Sequence, residues 1–194
     1  MVELGRIDMI TEANTMASHM TMPREGYLEC VFHVFAYLKI KYNSRMVFDP
    51  TYVDIDMSQF KECDWKRFYS TAKEEIPSNA PSPRGKGIDL RIYVDSDHTG
   101  DTVTRRSRIG YFIFLNMPPV AWYSEKQSTI ESSIFDAECV AMKVAMDTTR
   151  GLWYKLRMMG IPLDGPSYIY GDTMPVIHNT QRPDFTLEKK SNSI

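Results

Sequence analysis

The sequence predicts an α/β fold: a mixed sheet made of an antiparallel three-stranded meander and a parallel fourth strand, with helices, preceded by a small, mostly helical segment. Three observations lead there. After residue 88, short runs rich in β-branched and aromatic residues recur with turn residues between them. A long stretch with apolar residues at helical spacing separates the third run from the fourth. Acidic residues close the first and fourth runs, at Asp95 and Asp172, and one more, Glu138, interrupts the apolar helix face.

The chain begins with helical character. Arg24–Ile40 carries Leu28, Val31, Phe32, Phe35 and Leu38 at helical spacing behind Pro23. Met46-Val47-Phe48 reads as a short extended piece that Asp49-Pro50 ends. Ser58–Thr71 reads as a second helix, with Phe60, Cys63, Trp65 and Phe68 partly on one side. Two amphipathic helices make a thin core, so this part needs something to pack against. Glu74–Gly87, with three prolines, two glycines and almost no apolar content, reads as a linker.

The later part has a sharper rhythm. Leu90–Asp95 is a strand, Ile109–Asn116 a longer one, Met117-Pro118-Pro119 a turn and Val120–Ser124 a third strand. Ser133 followed by Asp136 fits a capping box, and Ile134, Ala137, Val140, Ala141, Val144 and Ala145 give the helix its apolar face. Leu152–Met159 continues that helix to the stop signal of Gly160 and Pro162, with Gly151 a candidate break or kink. Ser167–Asp172 is a fourth strand, and Thr173–Thr180 starts another helix. A helical crossover returns strand four parallel to strand one.

Composition narrows the function classes. With 194 residues and a formal net charge of −2, no global basic field marks a nucleic-acid binder, and such binding must come from local patches. Cys30, Cys63 and Cys139 are scattered without a CxxC pair, which favours free thiols in a reducing compartment. The four histidines show no zinc spacing. No charged-then-apolar leader and no run of about 20 apolar residues is present, so the expectation is a soluble, intracellular, cytoplasmic protein.

A carboxylate at the end of a buried strand or on a core-facing helix stripe is costly unless something positive compensates it. If strand four lies beside strand one, Asp95 and Asp172 sit near the carboxyl ends of adjacent parallel strands. Glu138 has Ile134, Ala141, Met142 and Ala145 as its helical neighbours, so its side chain points toward the sheet. Three converging carboxylates suit a hard divalent ion, Mg²⁺ or Mn²⁺, and phosphodiester chemistry. Each acid also has a plainer reading: a turn or cap residue for Asp95 or Asp172, a boundary position for Glu138. Asp97 shares the side of Asp95 and is an alternative ligand. Asp101 reads as a solvated loop residue and His98 as a loop histidine. Arg105, Arg106 and Arg108 form the densest basic cluster, suited to holding phosphate or, more plainly, a solvated hairpin loop.

Several blocks carry a resemblance. They are Tyr93–Gly100, Thr104–Tyr111, Ala121–Gln127, Glu131-Ser132-Ser133, Asp136–Ala141 and Tyr170-Gly171-Asp172. In this order and spacing they resemble the ribonuclease H domain of copia-type retrotransposon Pol polyproteins. Gly5–Asp8, Pro23–Tyr27 and Ala36–Lys39 resemble the tail of the reverse transcriptase that precedes it. The resemblance implies a ribonuclease H-like fold and hydrolysis of the RNA strand of RNA–DNA hybrids. It implies two Mg²⁺ ions, with Mn²⁺ as a substitute, on Asp95, Glu138 and Asp172. It also implies an RNA–DNA hybrid and the rest of the polyprotein as partners, in the cytoplasm or in virus-like particles. Ser132 and Ser133 are candidates for reading 2′-hydroxyls. By the same resemblance, residues 1–73 are a reverse transcriptase end, 74–87 a linker and 88–194 a C-terminally truncated ribonuclease H-like domain. A fourth acidic ligand and a fifth strand are then expected past Ile194, and Thr173 stands where the family usually carries Asn. The alternative is an inactive retroelement remnant, or a non-catalytic connection-type module of the same fold that binds nucleic acid.

Overall fold

Strand pleating decides which residues build the core. In the computed structural model, which describes residues 6–60, 64, 66–69 and 76–182, Ile92, Val94 and Ser96 of β1 (Leu90–Asp97) are buried, while Tyr93, Asp95 and Asp97 point to the other face. β2 (Arg108–Leu115) follows the same alternation through Ile109, Tyr111 and Ile113. With β3 (Pro119–Lys126) and β4 (Tyr168–Tyr170), the sheet has the order β3-β2-β1-β4. The first three strands pair antiparallel, and β4 runs parallel to β1 with Tyr93 beside Tyr170. This is the expected meander and crossover. β1 and β3 run longer than the sequence suggests, and β4 is shorter.

The crossover is α4 (Ile134–Met158). The Ser133 side chain accepts from the Asp136 N–H at its start, as the expected cap requires. Ala137, Ala141 and Ala145, each 0 % exposed, let the helix sit close on the sheet, where Ala141 and Ala145 pack with Ile92, Ile113 and Leu156. Its end is a full Schellman closure. The Gly160 N–H bonds the Arg157 carbonyl, the Ile161 N–H bonds the Leu156 carbonyl, and Gly160 holds φ +73°. Gly151 does not break the helix, which runs on through it. It is exposed, and a Cβ built there would meet nothing within 4 Å, so it costs only propensity, about 1 kcal/mol. α5 (Met174–Thr180) follows β4 and buries Val176.

The other sheet face is covered from the N-terminal side. α1 (Ile10–Ala17), which the sequence pattern did not mark, packs on β3, and the Asn14 amide donates to the Ser124 carbonyl. α2 (Glu25–Ile40) matches its expected span but buries no residue fully. The expected second helix is interrupted. Asp56 accepts from the Ser58 N–H and hydroxyl at a short turn, Met57–Gln59. Phe60 is then extended, edge-on to Tyr168 and Tyr170 at 4.9 and 5.6 Å. Among the described residues helix α3 is Lys66–Tyr69, and Cys63, Trp65 and Thr71 lie outside them.

The end of the proline-rich stretch is strapped down rather than free. The Arg84 N–H bonds the Gly160 carbonyl at 2.9 Å and the Ile88 N–H bonds the Pro162 carbonyl at 3.1 Å. Among the described residues no helix is long and apolar enough to cross a membrane.

Ile92 and Ile113 face each other across β1 and β2, and both are fully buried. Ile113→Ala leaves a cavity between sheet and helix, with an expected loss of about 2–5 kcal/mol, measurable by urea unfolding.

Candidate metal centre

Three elements bring the acids together. Asp95 stands on the outward side of β1, and Asp172 follows β4 by two residues. Because Tyr93 lies beside Tyr170, these two acids end up at matching positions of adjacent parallel strands. Glu138 reaches over from the second turn of α4. One carboxylate oxygen from each of Asp95, Glu138 and Asp172 lies within 4.8 Å of the other two. Glu138 is 6 % exposed, and its Oε1 accepts from the Ser96 N–H at 3.3 Å. Asp172 Oδ1 accepts from the Thr173 hydroxyl at 3.2 Å.

The charges are crowded. Burial, then the neighbouring charge of Asp95, push the Glu138 carboxyl above its usual range, and Asp172 adds to the rise. The bond from Ser96 pulls the other way without cancelling it. Among the described residues, the ion pairs Arg6–Asp8, Lys126–Asp101 and Lys143–Asp147 all lie elsewhere. An all-oxygen donor set with one buried carboxylate and no cationic side chain paired to it fits a hard divalent ion, which would relieve that repulsion.

The remaining candidates separate. Asp97 is not in the cluster; its Oδ2 lies against Gly100, inside the turn after β1. His98 Nε2 sits 3.2 Å from the Glu131 carbonyl and ties that turn to the approach of α4. The hydroxyls of Ser132 and Ser133 both donate to Asp136 Oδ2, at 2.9 and 2.8 Å, so both serve the helix start. Arg105 and Arg106 are exposed on the β1–β2 loop, with Arg105 at φ +60°, and Arg108 is half-buried at the start of β2.

Asp101 corrects the expectation of a solvated side chain. Its carboxylate pairs with Lys126 at 2.6 Å and accepts the Val103 and Thr104 N–H groups, both at 3.0 Å. The Lys126 hydrogen bond leads the effects that hold it well below the usual carboxylate range. Asp101 therefore holds the arginine-bearing loop in place. An Asx-type turn signal, Asp followed by Thr-Val-Thr, was present in the sequence; the lysine 25 residues on could not be paired with it without the β2–β3 register.

A three-strand meander, a crossover helix carrying a buried glutamate, and a parallel strand that delivers a second aspartate beside the first together make a ribonuclease H-like architecture. Comparison with known proteins points to a particular kind of relative. The chain is 29% identical over 149 residues, 73% of its length, to the retrovirus-related Pol polyprotein from transposon RE2 of Arabidopsis thaliana. It is 26% identical over 153 residues, 75% of its length, to the corresponding polyprotein from transposon RE1 of the same plant. In each case the match covers 10% of the polyprotein, so the chain spans about a tenth of the length of these relatives. A shorter stretch, 65 residues or 34% of the chain and 44% of the relative, is 38% identical to the secreted RxLR effector protein 161 of Plasmopara viticola. No family model and no solved structure matches. The polyprotein similarities support an origin in a retrotransposon Pol polyprotein.

The raised Glu138 pKa has a consequence for stability. The fold favours the protonated acid, so this stabilisation is complete below about pH 4.3 and is lost as pH rises through the higher folded value. Without added metal, Glu138→Gln is expected to melt at a higher temperature than the wild type at pH 7, with the gap closing toward pH 4. Thermal unfolding followed by circular dichroism across this range checks it. Added Mn²⁺ should raise the wild-type Tm and leave that of the variant nearly unmoved.

Proposed function

We propose that this chain carries a metal-dependent ribonuclease module that hydrolyses the RNA strand of RNA–DNA hybrids within a retrotransposon Pol polyprotein. The observation that supports it most is the convergence of Asp95, Glu138 and Asp172 from three different elements to within 4.8 Å. Residues 88–194 are the hydrolytic module in this reading, and residues 1–73 belong to the end of the preceding polymerase. The rest of the polyprotein and the hybrid are its partners.

The carboxylates would hold Mg²⁺ or Mn²⁺, one ion or a pair. Such ions neutralise phosphate charge and lower the pKa of water. The chain's own residues then do the following work. Asp95, Glu138 and Asp172 fix where the scissile phosphate sits. Arg105 and Arg106, on the loop that Asp101 holds, face the flanking phosphates as charge-assisted donors. Attack by water on phosphorus breaks the bond to the 3′-oxygen. The products are a 3′-hydroxyl and a 5′-phosphate, and the 3′-oxygen takes up a proton.

The test is cleavage of an end-labelled RNA–DNA hybrid, with duplex DNA as control, in Mg²⁺ and in Mn²⁺. Asp95→Asn and Asp172→Asn are each expected to lower the rate by at least about 100-fold. Cleavage that survives both substitutions, or a chain inert in both metals, would reject the reading. Arg105→Ala with Arg106→Ala should mainly raise KM, and more so at high salt.

A further inference from the structure

A strand-interior glycine beside the acid cluster has no backbone reason to be glycine. Gly110 lies in the outward row Asp95–Gly110–Ser124, which crosses three strands. Its φ is outside the left-handed region that favours glycine. A Cβ built on it would meet only the Asp95 carbonyl oxygen, at 4.0 Å. Neither a tight turn nor a packed neighbour therefore demands the missing side chain. The next outward positions of β2, by contrast, are the large Phe112 and Phe114. Glycine in a strand interior weakens the strand, and it marks places where a ligand or another backbone comes close.

Among the described residues, that Asp95 carbonyl is the one backbone atom near the missing side chain, and beyond it lies a cavity. It has a volume of about 480 Å³, within the range of small-ligand sites. Gly110 and Ser124 form its floor, and Asp95 stands in its wall. Thr15, Ser18 and His19, from α1 and its end, line the opposite side. His19 stacks on Tyr27 of α2 with ring centroids 4.3 Å apart and planes within 9°, which holds its imidazole in place. Arg108 adds a positive charge, and Asp101 in the same wall is already paired with Lys126.

We infer that this groove is a nucleotide subsite continuous with the metal centre. It seats the nucleotide next to the scissile phosphodiester, and the N-terminal segment supplies one of its walls. Thr15, Ser18 and His19 hydrogen-bond the sugar and phosphate oxygens, while the bare Cα of Gly110 lets the sugar lie against the sheet. The inference rests on the ribonuclease reading for its ligand. Asp95 and Asp97 also line the groove, so occupancy by a phosphate-bearing strand depends on the divalent ion.

Gly110→Val tests it, because a β-branched residue suits the strand and fills the floor; its methyls would stand beside Asp95, the cross-strand partner, so Mn²⁺ affinity is the control for the carboxylates. KM and kcat for the labelled hybrid would be measured with Mn²⁺ affinity by calorimetry and Tm. Gly110→Val is expected to raise KM about tenfold or more, with Mn²⁺ affinity and Tm kept. The double variant Thr15→Ala/His19→Ala is expected to raise KM in the same direction. Gly151→Ala, on the exposed side of α4, should leave KM as in the wild type. A wild-type KM in a folded Gly110→Val, or in the double variant, overturns the subsite. Loss of Asp95 dependence in cleavage overturns the ribonuclease reading instead. If the wild type does not cleave, fluorescence anisotropy of the same hybrid with Mn²⁺ decides. Binding that Gly110→Val does not weaken, or no binding at all, overturns the subsite.

Discussion

The in-register parallel pairing of β1 with β4 is the constraint on which the site depends. β4 contributes only Tyr168–Tyr170, so ladder bonds alone hold it weakly. Its register is set from outside. α4 spans 25 residues, roughly 37 Å at 1.5 Å per residue, and then turns back sharply at Gly160. The Ile88–Leu163 bridge and the Arg84 bond to Gly160 fix the returning chain against the segment that precedes β1. A slip of one residue would turn Asp172 to the α4 face, away from Asp95.

Given that register, electrostatics decides what the site can do. Glu138 is buried, facing two other carboxylates, and Ser96 is its hydrogen-bond partner among the described residues. A purely structural position would favour glutamine or an apolar residue. An ionisable group there costs the metal-free fold, a cost that a bound cation would relieve.

Much of this was legible in the sequence because it rests on local signals. Strand periodicity, the Ser133 cap and the Gly160 stop are each written within a few residues, and the crossover rule then orders the strands. The choice between Asp95 and Asp97 was not legible. Both share a pleat side, and only the turn closing on Gly100 draws Asp97 away. The role of Asp101 was hidden for a similar reason, since Lys126 meets it only through the β2–β3 pairing. α1 was missed because its exposed threonines and scattered apolar residues give no stripe; its packing on β3 is a tertiary effect. The second N-terminal helix failed where Asp56 offered the backbone a competing turn and Phe60 found the tyrosines.

The two faces of the sheet explain why the acids meet where they do. The face under α4 is lined with Ile92, Val94, Ile113 and small alanines, and tolerates no open charge. The outward face carries a row of aromatics, with Tyr93 stacked on Tyr170 at 4.8 Å and Phe114 edge-on to Tyr93 at 5.6 Å, next to the part that α1 covers. Asp95 and Asp172 belong to the outward side, whereas Glu138 comes from the α4 side. Residues from opposite faces can touch only where the sheet stops. β4 stops at Tyr170, and Gly171 lies close to Met142 of α4 and the Val94 carbonyl, as a side chain built there would meet them at 3.7 and 4.0 Å. The shortness of β4 is therefore what lets a helix-borne carboxylate reach round to two strand-borne ones. A longer β4 would put sheet between Glu138 and its partners.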